Sequence, residues 1–142
     1  MPHAYCGAAI FDGTRLHHGH ALVVDEGRVT ALLPEAQATG DRVLLPGGVL
    51  APGMIDLQVN GGGGIAVDGA TDAAALHAIC ATHARLGATG ILPTLITDTP
   101  EATARVIAAG IAAAAQGIPG FLGLHLEGPH LDPRRKGAHD PA

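Results

Sequence analysis

A chain of 142 residues that is 47% hydrophobic and 15% charged is too apolar for a disordered segment and long enough to bury the core of one ordinary domain. Its formal charge of −5 argues against the broad basic footprint of a nucleic-acid binder, though Arg134, Arg135 and Lys136 leave room for one small anion. Cys6 and Cys80 stand in unrelated contexts, which suggests neither a disulfide scaffold nor a thiolate zinc site. Nor is there a basic-then-apolar leader or an apolar run of about eighteen residues, so a soluble cytoplasmic protein with no membrane partner is expected.

Residues 1–50 read as short strands, a partial β-sandwich. Ala4 to Phe11 closes at Asp12-Gly13. His20 to Val24 joins Arg28 to Leu33 through Asp25-Glu26-Gly27, the acidic-glycine turn of a hairpin. Pro34 ends that strand, Glu35 to Asp41 reads as surface loop, and Val43 to Leu45 begins another strand. Two or three strands with no covering helix are marginal alone. His17, His18 and His20 invite a metal reading, but their spacing equally suits polar surface residues between strands.

The character changes at Ala51-Pro52-Gly53. In Met54 to Asn60 the period is two, with Ile55, Leu57 and Val59 on one face and Asp56, Gln58 and Asn60 on the other. Such a polar face suits the mouth of a pocket better than a core. Gly61 to Gly64 follows as a four-glycine turn that permits close backbone approach to a ligand, yet no GxGxxG and no Gly-Lys-Ser/Thr supports a nucleotide site. Thr71 or Asp72 caps a predicted helix to about Leu86, with Leu76, Ile79, Cys80 and His83 as its buried stripe. Ile91 to Thr97 is the next strand. Thr99-Pro100-Glu101 starts a second helix whose stripe is Val106, Ile107, Gly110, Ile111 and Ala114. Phe121 to Glu127 is the last strand, so residues 51–142 read as βαβαβ with parallel strands. That pattern fits an open sheet or the opening of a (β/α)₈ barrel, which takes about 250 residues.

In both folds the chemistry collects at the carboxyl ends of strands. Alternation puts His125 and Glu127 on one face, with Glu127 nearer that end. A carboxylate there can be a divalent-metal ligand or the partner of Arg134 or Arg135. His125 reads as a hydrogen-bonded core residue and His130 as loop surface. His139 can donate to a bound polar group or simply face solvent. Gln58 and Asn60 are amides that bind zinc poorly, so one metal is expected and not two. Gly61 joins them as pocket lining. No residue of the chain is identifiable as a catalytic acid or base.

Taken together, APGMIDLQVNGGGG at Ala51 to Gly64, GATGILPTLIT at Gly87 to Thr97 and GLHLEGPHLDPRRKGAH at Gly123 to His139 resemble the N-terminal portion of the N-acetylglucosamine-6-phosphate deacetylase family of the amidohydrolase superfamily. The resemblance implies a (β/α)₈ barrel, of which residues 51–142 hold about three strands and two helices, preceded by part of a small β-sandwich. It implies metal-assisted hydrolysis of the 2-acetamido group of an amino-sugar phosphate, with Glu127 on one divalent metal, commonly zinc, and Ala138 and His139 on the sugar. Gln58 and Asn60 stand where dinuclear relatives carry His-x-His. A homodimer is implied for the full-length enzyme. Arg134, Arg135 and Lys136 read as a solvated loop face. The family's two metal-binding histidines, its catalytic aspartate and most phosphate contacts come from later strands, so the expectation is a fragment inactive alone. Two other readings stay open: a different amidohydrolase, opposed by the missing His-x-His, and a short non-catalytic α/β binding or structural protein.

Overall fold

The computed structural model describes residues 1–128 and 130–139, in two compact units, Met1–Pro52 and Gly53–Ala142. The first unit is all β. Its strands are β1 (His3–Cys6), β2 (Ala9–Phe11), β3 (Leu16–His17), β4 (His20–Asp25), β5 (Arg28–Pro34), β6 (Asp41–Leu44) and β7 (Val49–Leu50). They form a four-stranded sheet in the order β5-β4-β1-β6 and a three-stranded sheet in the order β3-β2-β7. The sequence suggested fewer strands because Gly7 splits the apolar run from Ala4 to Phe11. Its φ of +86° turns the chain, and a Cβ there would meet the Leu45 carbonyl oxygen at 2.6 Å, so only glycine fits.

The predicted hairpin forms between β4 and β5, turning through Glu26 (φ +49°) and Gly27 (φ +74°). Two positive φ angles match the right-handed twist of the strands they join. Alternation then aligns Ala4 and Cys6 with Ala21 and Val23 on one buried face. Glu35–Gln37 is a single 3-10 turn where a plain loop was expected.

The second unit begins with β8 (Met54–Val59), followed by β9 (Gly61–Gly62) and β10 (Ile65–Ala66), then α1 (Ala73–Ala84), β11 (Ala88–Leu95), α2 (Pro100–Ala115) and β12 (His125–Leu126). β8 and β12 both pair in parallel with β11, which is central. Asp72 caps α1 by accepting from the Ala75 N–H at 2.8 Å, and Thr99 caps α2 by accepting from the Ala102 N–H at 3.2 Å. Leu76, Ile79, Ile91, Leu95 and Val106 are buried in the core between helices and sheet. Each such side chain contributes about 2 kcal/mol by leaving water. Burial also pushes the Cys80 thiol pKa up, as suits a small core residue.

Pro93 sits inside the central strand and has no N–H to give, so the β8–β11 register shifts between Ile91 and Pro93. Thr94 repairs the ladder. Its hydroxyl accepts from the Val59 N–H at 2.9 Å and donates to the Leu92 carbonyl at 3.0 Å. With this exchange no buried side-chain polar atom is left without a partner among the described residues.

The last strand does not run from Phe121 to Glu127. Only His125–Leu126 pairs continuously, with a single bridge from Phe121 to Ile91, because Leu122 and Leu124 fit notches left by Gly90 and Gly110. On α2 the buried residues are Ala102, Val106, Ala109, Gly110 and Ala113, while Ile107 and Ile111 are exposed. Closeness of approach, which favours small residues, decides that face. Along β8 only Val59 is buried, and Met54, Ile55 and Leu57 are exposed. The glycine run is a β9–β10 hairpin turning at Gly63 and Gly64, both of positive φ, and α1 is what comes close to it. A Cβ on Gly62 would meet the His83 ring at 2.9 Å, and one on Gly63 would meet the Thr82 hydroxyl at 2.8 Å.

Candidate functional site

The carboxyl ends of the three parallel strands gather a polar set. The Glu127 N–H donates to the Leu95 carbonyl at 2.9 Å, which continues the β12 pairing by one residue and fixes the carboxylate beside the end of β11. Gln58, the fifth residue of β8, donates its amide N–H to Glu127 Oε1. The other oxygen, Oε2, lies 3.8 Å from His139 Nε2. Thr97, two residues beyond β11, brings its hydroxyl within 2.9 Å of His139 Nδ1. Lys136 donates to the His139 carbonyl at 2.9 Å. Beside Glu127 is a shallow, open hollow lined by Leu95, Ile96, Thr97, Asp98, Thr103 and Leu126.

Glu127 and His139 are each about three-quarters shielded, with 26% and 21% of their side chains exposed. The carboxylate therefore keeps access from the hollow while Gln58 holds one of its oxygens. Asp56 does not join the set, because its carboxylate accepts from the Gln58 N–H at 3.1 Å. Asn60 is exposed, and its carbonyl accepts from the Val67 N–H at 2.9 Å. Gly61 lies in the β9–β10 hairpin, where its carbonyl accepts from His83 Nε2 at 3.0 Å. Ala138 is an exposed turn residue preceding His139. His125 donates from Nδ1 to the Leu57 carbonyl at 3.1 Å, as its place on the strand suggested, but it is half-buried and not part of the core.

The basic run divides. Arg134 forms an ion pair with Asp132 at 2.7 Å, and that guanidinium holds the Asp132 carboxyl below its ordinary pKa. Arg135 is exposed, whereas Lys136 is turned inward to anchor His139. Among the described residues Glu127 has no ion pair with either arginine; its neighbours are Gln58 and His139. Thr97 is not singled out in the sequence, and Lys136 reads there with Arg134 and Arg135 as a solvated loop face or an anion contact; its half-buried place and its bond to the His139 carbonyl come from a fold that brings residue 139 back to the end of β11.

Among the described residues no cluster of three or more His, Cys, Asp or Glu side chains could hold a metal ion. Elsewhere, Asp12, His17 and His20 lie together in the first unit. Asp12 accepts from His17 at 2.7 Å, and the His17 and His20 rings are 5.2 Å apart. This is an exposed turn network, the structural side of the two readings of those histidines. Among the described residues no helix is long and apolar enough to cross a membrane.

Fold and site together define a parallel β/α unit with its polar groups at the carboxyl ends of the strands, where α/β proteins handle small molecules. Comparison with known proteins makes this more particular. No protein-family model matches the chain. It is 35% identical over 140 residues to N-acetylgalactosamine-6-phosphate deacetylase of Shewanella sp. (strain ANA-3), covering 96% of this chain and 36% of that protein. It is 31% identical over 143 residues to N-acetylglucosamine-6-phosphate deacetylase of Haemophilus influenzae, covering 99% and 38%. The crystal structure of N-acetylglucosamine-6-phosphate deacetylase from Pasteurella multocida superposes with a TM-score of 0.91 at 32% identity, over 99% of this chain and 38% of that one. A mutant of the Mycobacterium smegmatis enzyme in complex with N-acetyl-D-glucosamine-6-phosphate superposes with a TM-score of 0.75 at 32% identity, over 99% and 36%. In sequence and in fold, then, the chain is similar to N-acetylglucosamine- and N-acetylgalactosamine-6-phosphate deacetylases, and it spans a little over a third of the length of these four.

Proposed function

We propose that this chain is the N-terminal part of a metal-dependent N-acetylhexosamine-6-phosphate deacetylase, which releases acetate from the 2-acetamido group of an N-acetylglucosamine or N-acetylgalactosamine 6-phosphate. In this reading residues 51–142 open a (β/α)₈ barrel and residues 1–50 supply part of a β-sandwich. The exposed apolar side chains of Met54, Ile55 and Leu57 on β8 support further strands packing there. The whole enzyme is a cytoplasmic homodimer.

One observation carries the reading. Gln58 and Glu127, sixty-nine residues apart, meet at the strand ends in a chain that resembles these deacetylases over nearly all its length. Glu127 fits a divalent cation as one anionic oxygen ligand, because it is held but not fully enclosed. The remaining ligands belong to later parts of the enzyme. When bound, a metal such as zinc lowers the pKa of a water and polarises the acetamide carbonyl. Gln58 orients the Glu127 carboxylate through its amide N–H, the service that outer neighbours give a ligating group. His139 and Ala138 hold the sugar, and Asn60 and Gly61 line the approach.

The test is acetate release by the full-length gene product from both hexosamine 6-phosphates, alongside its metal content. Glu127→Gln, which keeps the shape and removes the charge, is expected to cut metal occupancy and to lower kcat/KM by at least about 100-fold. Full activity and full metal content in that variant would end the assignment of Glu127.

A further inference from the structure

We infer that Thr97 is a positioning residue that fixes how the His139 imidazole is presented to the site, with His139 Nε2–H directed toward Glu127. The inference rests on the reading of His139 as a sugar contact. A carboxylate can only accept a hydrogen bond, so a neutral imidazole whose Nε2 faces Glu127 Oε2 at 3.8 Å is favoured as the Nε2–H tautomer. Nδ1 is then the acceptor, and the Thr97 hydroxyl at 2.9 Å is the donor that complements it. The ring is held by this bond; the backbone behind it is held separately. Lys136 donates to the His139 carbonyl at 2.9 Å, and the His139 N–H donates to the Lys136 carbonyl at 3.1 Å.

Thr97 is itself confined. Gly128, at φ +83°, lies against the threonine methyl so closely that a Cβ on it would approach Cγ2 to 2.8 Å. A β-branched side chain with its methyl blocked has few rotamers left, and the one observed aims the hydroxyl at Nδ1. At 3.8 Å the Nε2–H is oriented by Glu127 but lies beyond hydrogen-bond reach of it, so it stays free to donate to an oxygen of the sugar phosphate.

The experiment uses the full-length gene product and the variants Thr97→Val, Thr97→Ser, His139→Gln and the Thr97→Val/His139→Gln double. Loss of the hydroxyl is expected to raise KM for the hexosamine 6-phosphate about 3- to 10-fold, with kcat changed by less than about twofold. Serine restores KM. The valine change adds nothing in the His139→Gln background, because Thr97 acts through that ring. Thr97→Ala, which also lacks the hydroxyl, gives an independent reading of the same loss. Histidine-selective ¹⁵N NMR is expected to show His139 as a single Nε2–H tautomer in the parent protein and in Thr97→Ser, and a tautomer mixture in Thr97→Val. An unchanged KM in both hydroxyl-less variants, effects that multiply in the double variant, or an Nδ1–H tautomer in the parent would overturn the inference. If the parent protein hydrolyses neither hexosamine phosphate, the functional reading fails, and the NMR result still decides for or against the Thr97–His139 bond.

Discussion

The two units solve the problem of holding polar groups in opposite ways. In the first, Asp12 accepts from the N–H groups of Thr14 and Arg15 and from His17, all within five residues of it. The strand-end set of the second draws together Gln58, Thr97, Glu127 and His139, with hydrogen bonds that span 69 residues from Gln58 to Glu127 and 42 from Thr97 to His139. A local network needs only its turn to form, whereas a distant one exists only when the whole sheet does. The turn network therefore reports on its own few residues, and the strand-end set reports on the fold.

Removing core volume from the second unit should separate the two most sharply. Leu76→Ala, at a fully buried position on α1, is expected to cost about 3 kcal/mol in urea unfolding. The ¹⁵N signals of His139 should broaden in that variant while those of His17 stay fixed. Equal disturbance of both rings would break the contrast.

A smaller effect is expected at the repaired ladder. Thr94→Val leaves the Val59 N–H buried without an acceptor, at a cost of about 1 to 3 kcal/mol, and Thr94→Ser should recover most of it. Because Val59 directly follows Gln58, hydrogen exchange at the Val59 amide should quicken in the valine variant alone. Unchanged exchange there would show that the hydroxyl is not what holds this strand end.

The smallest effect belongs to Asp12. The Arg15 N–H first, then His17 and the Thr14 N–H, pull its carboxyl from the ordinary 3.8 to about 2. A carboxyl lowered by folding stabilises the folded state above its unfolded pKa and ceases to do so as pH falls through the folded value. Asp12→Asn should thus lower the urea midpoint slightly and by a constant amount above about pH 4, with the difference from the parent vanishing toward about pH 2. A difference that grew on acidification would contradict the turn network.

What was legible in the sequence follows the same division. The Asp25-Glu26-Gly27 turn, the Thr99 cap and the stripe of Leu76, Ile79 and Cys80 are written in neighbouring residues and form as expected; of the two candidate caps for α1 it is Asp72 that serves, and His83, read with the stripe, is only half-buried. The α2 stripe was misread by one step, because size favoured Ile107 and Ile111 while close approach of Leu124 to Gly110 favours small residues. The alternation from Phe121 to Glu127 is that of a strand, yet Gly90 and Gly110 open notches that take Leu122 and Leu124 out of the pleat. Glu127 could be singled out from its place at the end of an alternating run. Thr97 could not, since its partner lies 42 residues further along the chain.

Gly128 carries a consequence that belongs to genetics more than to mechanics. Every single-base change in a glycine codon that alters the amino acid introduces a side chain or a stop. At this position any side chain would both adopt a φ of +83° and push on the Thr97 methyl. The turn after Glu127 therefore has no neighbouring sequence through which it can drift, and random mutagenesis should return position 128 unchanged among active clones while Arg134 and Arg135 vary freely.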